Sequence, residues 1–363
     1  MSLNALQTLR QAGITIASDT GEYLKIGEFY PQDATTNPSL VFAAVTKPEY
    51  SHIIDGAVQY ALSRRTTLEA QTELACDYLL VQVGLQILNI IPGRVSVSVD
   101  PRLAHDYDAI VAKSHNLISI FEELGVPRHR ILVKIPATYS GILASQSLET
   151  LSTPIHTNAT LIFSLVQALA CAQAGIAVIS PFIGRVKDWW AVHDTARNGG
   201  IPPPERALSE HPGILLVHEI RRAFTEYGYD TQVMAAGFRT IDEIVELGKN
   251  GSHGGPDLVT LPPELLEGLR RRPGGAIGVR RREGDKSLGD RDFEAPRYIS
   301  RDGLSTSTPE HEAAYTADLT QEKIALDKVP EGLAKFSVDA KKLEDLLRGR
   351  IRISIESETS ARL

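Results

Sequence analysis

Lys134 is the residue from which chemistry can start. It stands in Ile131-Leu132-Val133-Lys134-Ile135-Pro136, where a period of two sends Ile131, Val133 and Ile135 to one side and Lys134 to the other. An ammonium in apolar surroundings costs free energy, so burial lowers the amine's pKa from about 10.4. The product is a nucleophile able to form a Schiff base with a carbonyl. The alternative is a lysine at a strand end whose ammonium reaches water. Asp19, in Ile14-Thr15-Ile16-Ala17-Ser18-Asp19-Thr20-Gly21, supplies the complementary group. A carboxyl facing a lysine can give and take a proton during carbon–carbon cleavage, unless it only caps the turn before Gly21. Arg185, in Ser180-Pro181-Phe182-Ile183-Gly184-Arg185, and Arg239, in Gly237-Phe238-Arg239, complete an anion site. Guanidinium groups suit phosphate, although either arginine can instead pair with Asp188 or Glu243 close by.

These residues need elements that bring them together. Eight short β-rich runs, at 14–20, 33–37, 94–100, 131–137, 155–160, 177–182, 232–238 and 258–261, alternate with helical periodicity, for example over 104–124, 141–151, 161–174, 213–227 and 240–247. This alternation predicts an α/β fold, a (β/α)8 TIM barrel, occupying 1–350 as one domain with additional C-terminal helices over 326–347. A doubly wound open sheet is the other arrangement of such a pattern, but the chain carries no dinucleotide fingerprint. In Arg94-Val95-Ser96-Val97-Ser98-Val99-Asp100 the alternation turns the valines toward outer helices and Arg94, Ser96, Ser98 and Asp100 toward the axis. Lys134 then points inward, and Asp19 falls on the carboxyl-end rim where barrel sites lie. The arginines follow the late strands, whose loops commonly bind phosphate.

Two segments break the pattern. An irregular Gly/Arg-rich insertion at 270–308 carries Arg270-Arg271-Arg272 and Arg280-Arg281-Arg282 around Gly274-Gly275. It reads as a solvated loop or as a docking site for an anionic partner. The stretch 351–363 reads as a flexible C-terminal tail. Its last three residues, Ala361-Arg362-Leu363, have the small-basic-Leu form of a peroxisomal address, against the plain reading of a polar end.

Composition excludes several classes of function. Among 363 residues, 38 Lys+Arg against 45 Asp+Glu give a net charge of −7, so no basic face is expected for nucleic acid. No apolar run approaches the roughly 18 residues of a membrane span, and residues 1–10 do not read as a secretory signal. Cys76 and Cys171 sit singly in apolar helical contexts, which points to a reducing, cytoplasmic setting. There is no repeat of about 20 to 50 residues. Ten histidines form no His-Glu-x-x-His pair, neither cysteine has metal-ligand spacing, and no Walker loop or Gly-x-Ser-x-Gly elbow occurs, so no metal site is expected. Trp189-Trp190 reads as helix-on-barrel packing rather than as a stacking platform.

The chain is similar to the transaldolase family. The likeness rests on Asp33-Ala34-Thr35-Thr36-Asn37-Pro38-Ser39-Leu40, Ile131-Leu132-Val133-Lys134, Asn158-Ala159-Thr160-Leu161-Ile162-Phe163-Ser164 and the segment from Ser180 to Arg185, and runs from about residue 3 to 347. It implies a class I aldolase barrel without metal or organic cofactor, acting as a homodimer on sugar phosphates of the pentose phosphate pathway. By the same resemblance Lys134 forms the Schiff base with a ketose phosphate and Asp19 is the acid/base. Thr35, Asn37, Asn158 and Ser180 hold the dihydroxyacetone moiety, Thr160 holds a water, and Arg185 with Arg239 holds phosphate. The implied reaction moves a three-carbon unit from sedoheptulose 7-phosphate to glyceraldehyde 3-phosphate, giving erythrose 4-phosphate and fructose 6-phosphate.

The chain departs from the family pattern where it matters. Ser98 occupies the catalytic position on the third strand at which the family carries a glutamate, and a serine hydroxyl is no base near neutral pH. Tyr139-Ser140 replaces a Trp followed by an acidic or amide residue, and Gly237 and Thr240 replace Ser and Asn. Three functions compete: a transaldolase of reduced activity, a diverged Schiff-base enzyme for another carbonyl substrate, and a phosphosugar-binding protein without turnover. Retention of Lys134, Asp19 and both arginines argues against the third.

Overall fold

Short runs of Val, Ile and Thr favour extended backbone, and here eight of them pair in parallel, each with a neighbour on both edges. The structure, a computed structural model, describes residues 3–202, 204, 206–249, 255–275, 295–300 and 307–362. Strands β1 (Thr15–Asp19), β2 (Asp33–Thr35), β3 (Val95–Ser98), β4 (Ile131–Pro136), β5 (Thr157–Ile162), β6 (Val178–Pro181), β7 (Gln232–Ala235) and β8 (Leu258–Leu261) close in sequence order, with β8 pairing back onto β1. The (β/α)8 barrel and its extra C-terminal helices are therefore as the alternation predicts.

Helices cover the outside. Helix α1 (Ala5–Gln11) precedes the barrel; α2 (Pro38–Val45), α3 (Ser51–Leu62) and α4 (Leu68–Leu88) follow β2. Single helices α5 (Tyr107–Glu123), α6 (Tyr139–Glu149) and α7 (Leu165–Gln173) follow β3, β4 and β5. Then come α8 (Ile183–Arg197) and α9 (Pro212–Tyr227) after β6, α10 (Ile241–Lys249) after β7, α11 (Pro263–Arg271) after β8, and finally α12 (Pro309–Gln321) and α13 (Lys323–Arg362). The outward residues Val95, Val97, Ile131, Val133 and Ile135 are buried against these helices. Inside, Leu132, Val178, Met234 and Leu258 pack into an apolar plug. Arg94 crosses from β3 to Asp33 at 3.4 Å and to Gln232 at 2.9 Å, closing the amino-end of the lumen.

Several boundaries differ from the sequence reading, each for a local reason. The helix expected over 161–174 begins only at Leu165, because Ser164 caps it by accepting the Gln167 amide at 3.1 Å. Before it, β5 runs on to Ile162, with a register shift and Leu161 in the left-handed region at φ 63°. Asp100 does not face the axis: β3 has ended, and its carboxylate accepts the Arg102 amide at 2.9 Å and pairs with that guanidinium. Arg270 and Arg271, placed in the insertion from sequence, belong to the last turn of α11 and pair with Glu267. Arg280-Arg281-Arg282 and Leu363 lie outside the described residues. Trp189 packs as expected, buried with Phe182 and Phe336, its Nε1 donating to Asp327 at 2.8 Å.

The flexible tail expected from 351 is instead the continuation of α13, which runs to Arg362. Leu343, Leu347 and Ile351 recur every four residues and are buried in the same cluster as Leu79 and Val83 of α4, which secures the helix past 351. Ile351→Ala is expected to cost about 2–5 kcal/mol, as for other buried large-to-small changes, measured by chemical denaturation. An unchanged midpoint would show that the end of α13 is not anchored.

Candidate active site

Alternation along each strand aims a polar set into the barrel above the apolar plug. Ser98, Lys134 and Asn158 are in register across β3, β4 and β5, Thr160 faces Ser180 across β5 and β6, and Asp19 faces Thr35 across β1 and β2. All but Asp19 are buried. Lys134 is 5% exposed, and its Nζ donates to the Thr36 carbonyl at 3.3 Å. Burial pushes its pKa below the ordinary lysine value, while the negative charge of Asp19 acts in the opposite direction. The lysine therefore does not reach water, which removes the strand-end alternative. Asp19 accepts from Thr35 Oγ1 at 2.7 Å, and Thr35 Oγ1 meets Thr260 Oγ1 at 2.6 Å. The carboxylate is thus held by a side chain of the barrel rather than engaged in the turn before Gly21.

The amide of Asn158 is fixed from both sides. Its Nδ2 donates to Ser96 Oγ at 3.1 Å, and its Oδ1 accepts from Ser180 Oγ at 2.7 Å. Thr160 Oγ1 is buried without a hydrogen-bond partner. That is a position suited to a ligand or a water. Asn37 is only partly committed to a site, since its Oδ1 caps α2 by accepting the Leu40 amide at 3.0 Å, leaving the amide nitrogen as donor.

The two arginines come together beside this rim, but not on strands. Arg185 lies in the first turn of α8 and Arg239 in the loop between β7 and α10. The loops are laced together: the Ile183 amide donates to Ala236 O at 2.9 Å and the Gly184 amide to Gly237 O at 3.1 Å. A Cβ on Gly184 would stand 2.4 Å from that carbonyl and 3.0 Å from Arg239 Cγ, so only glycine permits the approach. The Arg185 guanidinium lies 5.2 Å from the Phe182 ring and 5.6 Å from that of Phe336 on α13, with Nη1 buried and unpartnered. Burial lowers its pKa and the neighbouring Arg239 charge acts in the same direction, although a guanidinium stays charged. Arg239 is exposed and pairs with Asp188 at 2.7 Å, the alternative its sequence neighbours allow.

Sequence reasoning missed Ser96 and Thr260 as the partners that fix Asn158 and Thr35. Both were visible as polar residues at inward positions of otherwise apolar strands. Asp188 and Glu243 were seen only as competitors for the arginines. Among the described residues no cluster of three or more His, Cys, Asp or Glu is placed to hold a metal ion, and no helix is long and apolar enough to cross a membrane.

A desolvated amine under the influence of a carboxylate, inside a closed parallel barrel, has the chemistry of a nucleophile toward a carbonyl compound. Comparison narrows it. The family described as Transaldolase/Fructose-6-phosphate aldolase matches residues 16–347. The chain is 38% identical over 354 residues to a transaldolase of Saccharomyces cerevisiae, covering 96% of each. It is 37% identical over 348 residues to one from a Shewanella species, and 36% over 349 residues to one from Schizosaccharomyces pombe, covering 96% of this chain and 99% of either relative. The chain belongs to the transaldolase/fructose-6-phosphate aldolase family.

Because the charge of Asp19 favours the ammonium form of Lys134, Asp19→Asn is expected to lower that pKa further. The pH midpoint for trapping dihydroxyacetone on Lys134 with borohydride should therefore move down, followed by peptide mass spectrometry. A midpoint moving up, or an adduct on Lys25, Lys113 or Lys187, would refute the assignment.

Proposed function

We propose that the protein is a transaldolase that carries a dihydroxyacetone unit on Lys134 and transfers it from sedoheptulose 7-phosphate to glyceraldehyde 3-phosphate. The observation that carries this reading is the buried Lys134 amine opposed by Asp19, in a chain of the transaldolase family. Lys134 attacks the ketose carbonyl, and loss of water gives the imine. Asp19 takes the proton of the hydroxyl next to the bond that breaks, and erythrose 4-phosphate leaves. The electron pair stays on the three-carbon enamine, which adds to the incoming aldehyde; Asp19 returns the proton to the new hydroxyl. Hydrolysis then frees fructose 6-phosphate and the amine.

In this reading Thr35, Asn37, Asn158 and Ser180 hold the three-carbon unit, and Thr160 holds the water that enters and leaves. Arg185 and Arg239 bind the phosphate, with Asp188 keeping Arg239 in place between turnovers. The resemblance also implies a homodimer. Two free cysteines, one of them buried, suit the cytoplasm as its location.

Ser98 sets the expected rate. It lies in register with Lys134 but brings no carboxylate, so water-mediated proton transfers around the imine lose a base worth about 10²- to 10⁴-fold. Wild-type turnover is expected to be weak although the covalent adduct forms, and Ser98→Glu should raise it at least tenfold. No gain in a folded Ser98→Glu variant would indicate a pocket adapted to another carbonyl substrate. Each guanidinium should contribute roughly 1.5–3 kcal/mol to phosphate binding. Arg185→Ala and Arg239→Ala are thus each expected to raise KM for a phosphorylated ketose about tenfold or more. Unchanged KM in both would remove phosphate from the reading.

A further inference from the structure

Behind Arg239 lies a fully buried carboxylate, Glu243, 0% exposed in the first turn of α10. Its Oε2 accepts the Arg239 amide at 2.7 Å and the Thr240 amide at 3.2 Å, while its own amide donates to Thr240 Oγ1 at 3.3 Å. Thr240 and Glu243 thereby form a capping box, with the acid also reaching one residue further back to the arginine. The other oxygen, Oε1, faces His211 Nε2 at 3.4 Å and Lys187 Nζ at 3.6 Å. His211 Nδ1 accepts the Gly213 and Ile214 amides, which leaves Nε2, buried without a hydrogen-bond partner of its own, beside the carboxylate. Burial alone would raise the Glu243 pKa, but His211 and the two amides outweigh it and hold the group at about 2.

One buried charge thus contacts three structures at once: the Arg239 loop, α8 through Lys187, and the start of α9 through His211. We infer that Glu243 is the positioning residue of the phosphate site, fixing the backbone of Arg239 so that its exposed guanidinium stands next to Arg185. The inference rests on the phosphate role proposed for the two arginines. Two features separate it from ordinary capping. A cap needs only the Thr240 amide, whereas the shorter bond goes to Arg239. And the Arg239 loop is the one stitched to the Arg185 loop through Gly184, so displacement of one guanidinium moves it relative to the other. Lys187 and Asp188 flank the same loop, the former on Glu243 and the latter on the guanidinium, so both ends of Arg239 are held through α8.

The test compares phosphorylated with unphosphorylated substrate. Glu243→Ala is expected to raise KM for a phosphorylated ketose about tenfold, with kcat within about twofold of wild type, while cleavage of an unphosphorylated ketose is unaffected. Glu243→Gln keeps an acceptor for both amides and should restore the wild-type KM. Thr240→Ala, which breaks only the capping half, should lower Tm but leave that substrate preference intact. Should Glu243→Ala not fold, Glu243→Asp keeps the charge and is one methylene too short to reach the Arg239 amide, so it should show the same raised KM. If the preference for phosphorylated substrate survives in Glu243→Ala or Glu243→Asp while Arg239→Ala abolishes it, Glu243 is a helix cap only and the inference is overturned. If Arg185→Ala and Arg239→Ala themselves leave that preference unchanged, the phosphate reading has failed first.

Discussion

The burial of one amine governs the rest of this molecule. Lys134 loses its hydration and receives in return a single carbonyl at 3.3 Å and the opposing charge of Asp19. That is poor compensation for an ammonium in a low-dielectric interior, and the amine answers by moving toward its neutral form. A parallel barrel makes such a setting tolerable. Each strand pairs with a neighbour on both edges, so polar side chains can occupy the lumen without competing for the ladder. The apolar plug of Leu132, Val178, Met234 and Leu258 seals the layer below the lysine.

Above the plug, Asn158, Thr35 and Asp19 are held by polar side chains from other strands. Ser180 orients Asn158, Ser96 holds its other end, and Thr260 supports the Thr35 hydroxyl that in turn binds Asp19. Such partners lock rotamers before a ligand arrives, which lowers the ordering cost of binding and of the chemistry. The arginine side of the rim uses backbone instead. Two amide–carbonyl bonds and a glycine bring the β6 and β7 loops into contact, and the Glu243 carboxylate fixes the second loop from behind.

The sequence showed the layers more clearly than the ends of elements. Period-two alternation in 94–100 and 131–136 was enough to aim Lys134 inward, because facing residues in a strand are set by geometry alone. What alternation does not carry is where a strand stops. Asp100 continues the pattern of β3 but turns to bind Arg102, and Leu161 takes a left-handed conformation that a run of apolar residues gives no reason to expect. The end of the chain misled for a different reason. Residues after 350 are rich in Arg, Ser and Glu, the composition of a solvated tail, yet a single buried side chain every four residues suffices to fix a helix already anchored at Leu343 and Leu347. Glu243 was visible as a neighbour of Arg239 but not as its support, since a bond from a side chain back to the amide four residues earlier depends on where α10 begins.

The same separation of layers explains why family membership and reaction rate are different questions for this chain. Identity of 36–38% over nearly the whole length establishes the family. Ser98 is one position within it, the last residue of β3. It lies in register with Lys134 at the carboxyl end of β3, and its side chain takes no part in the strand pairing. In the proposed reaction the nearby Thr160 hydroxyl needs a partner, and a water between two hydroxyls can be oriented but finds no base among them. The proton released as the imine forms must then reach Asp19 or leave with solvent. Asp19, held by the Thr35 hydroxyl at 2.7 Å, would then serve two steps instead of one.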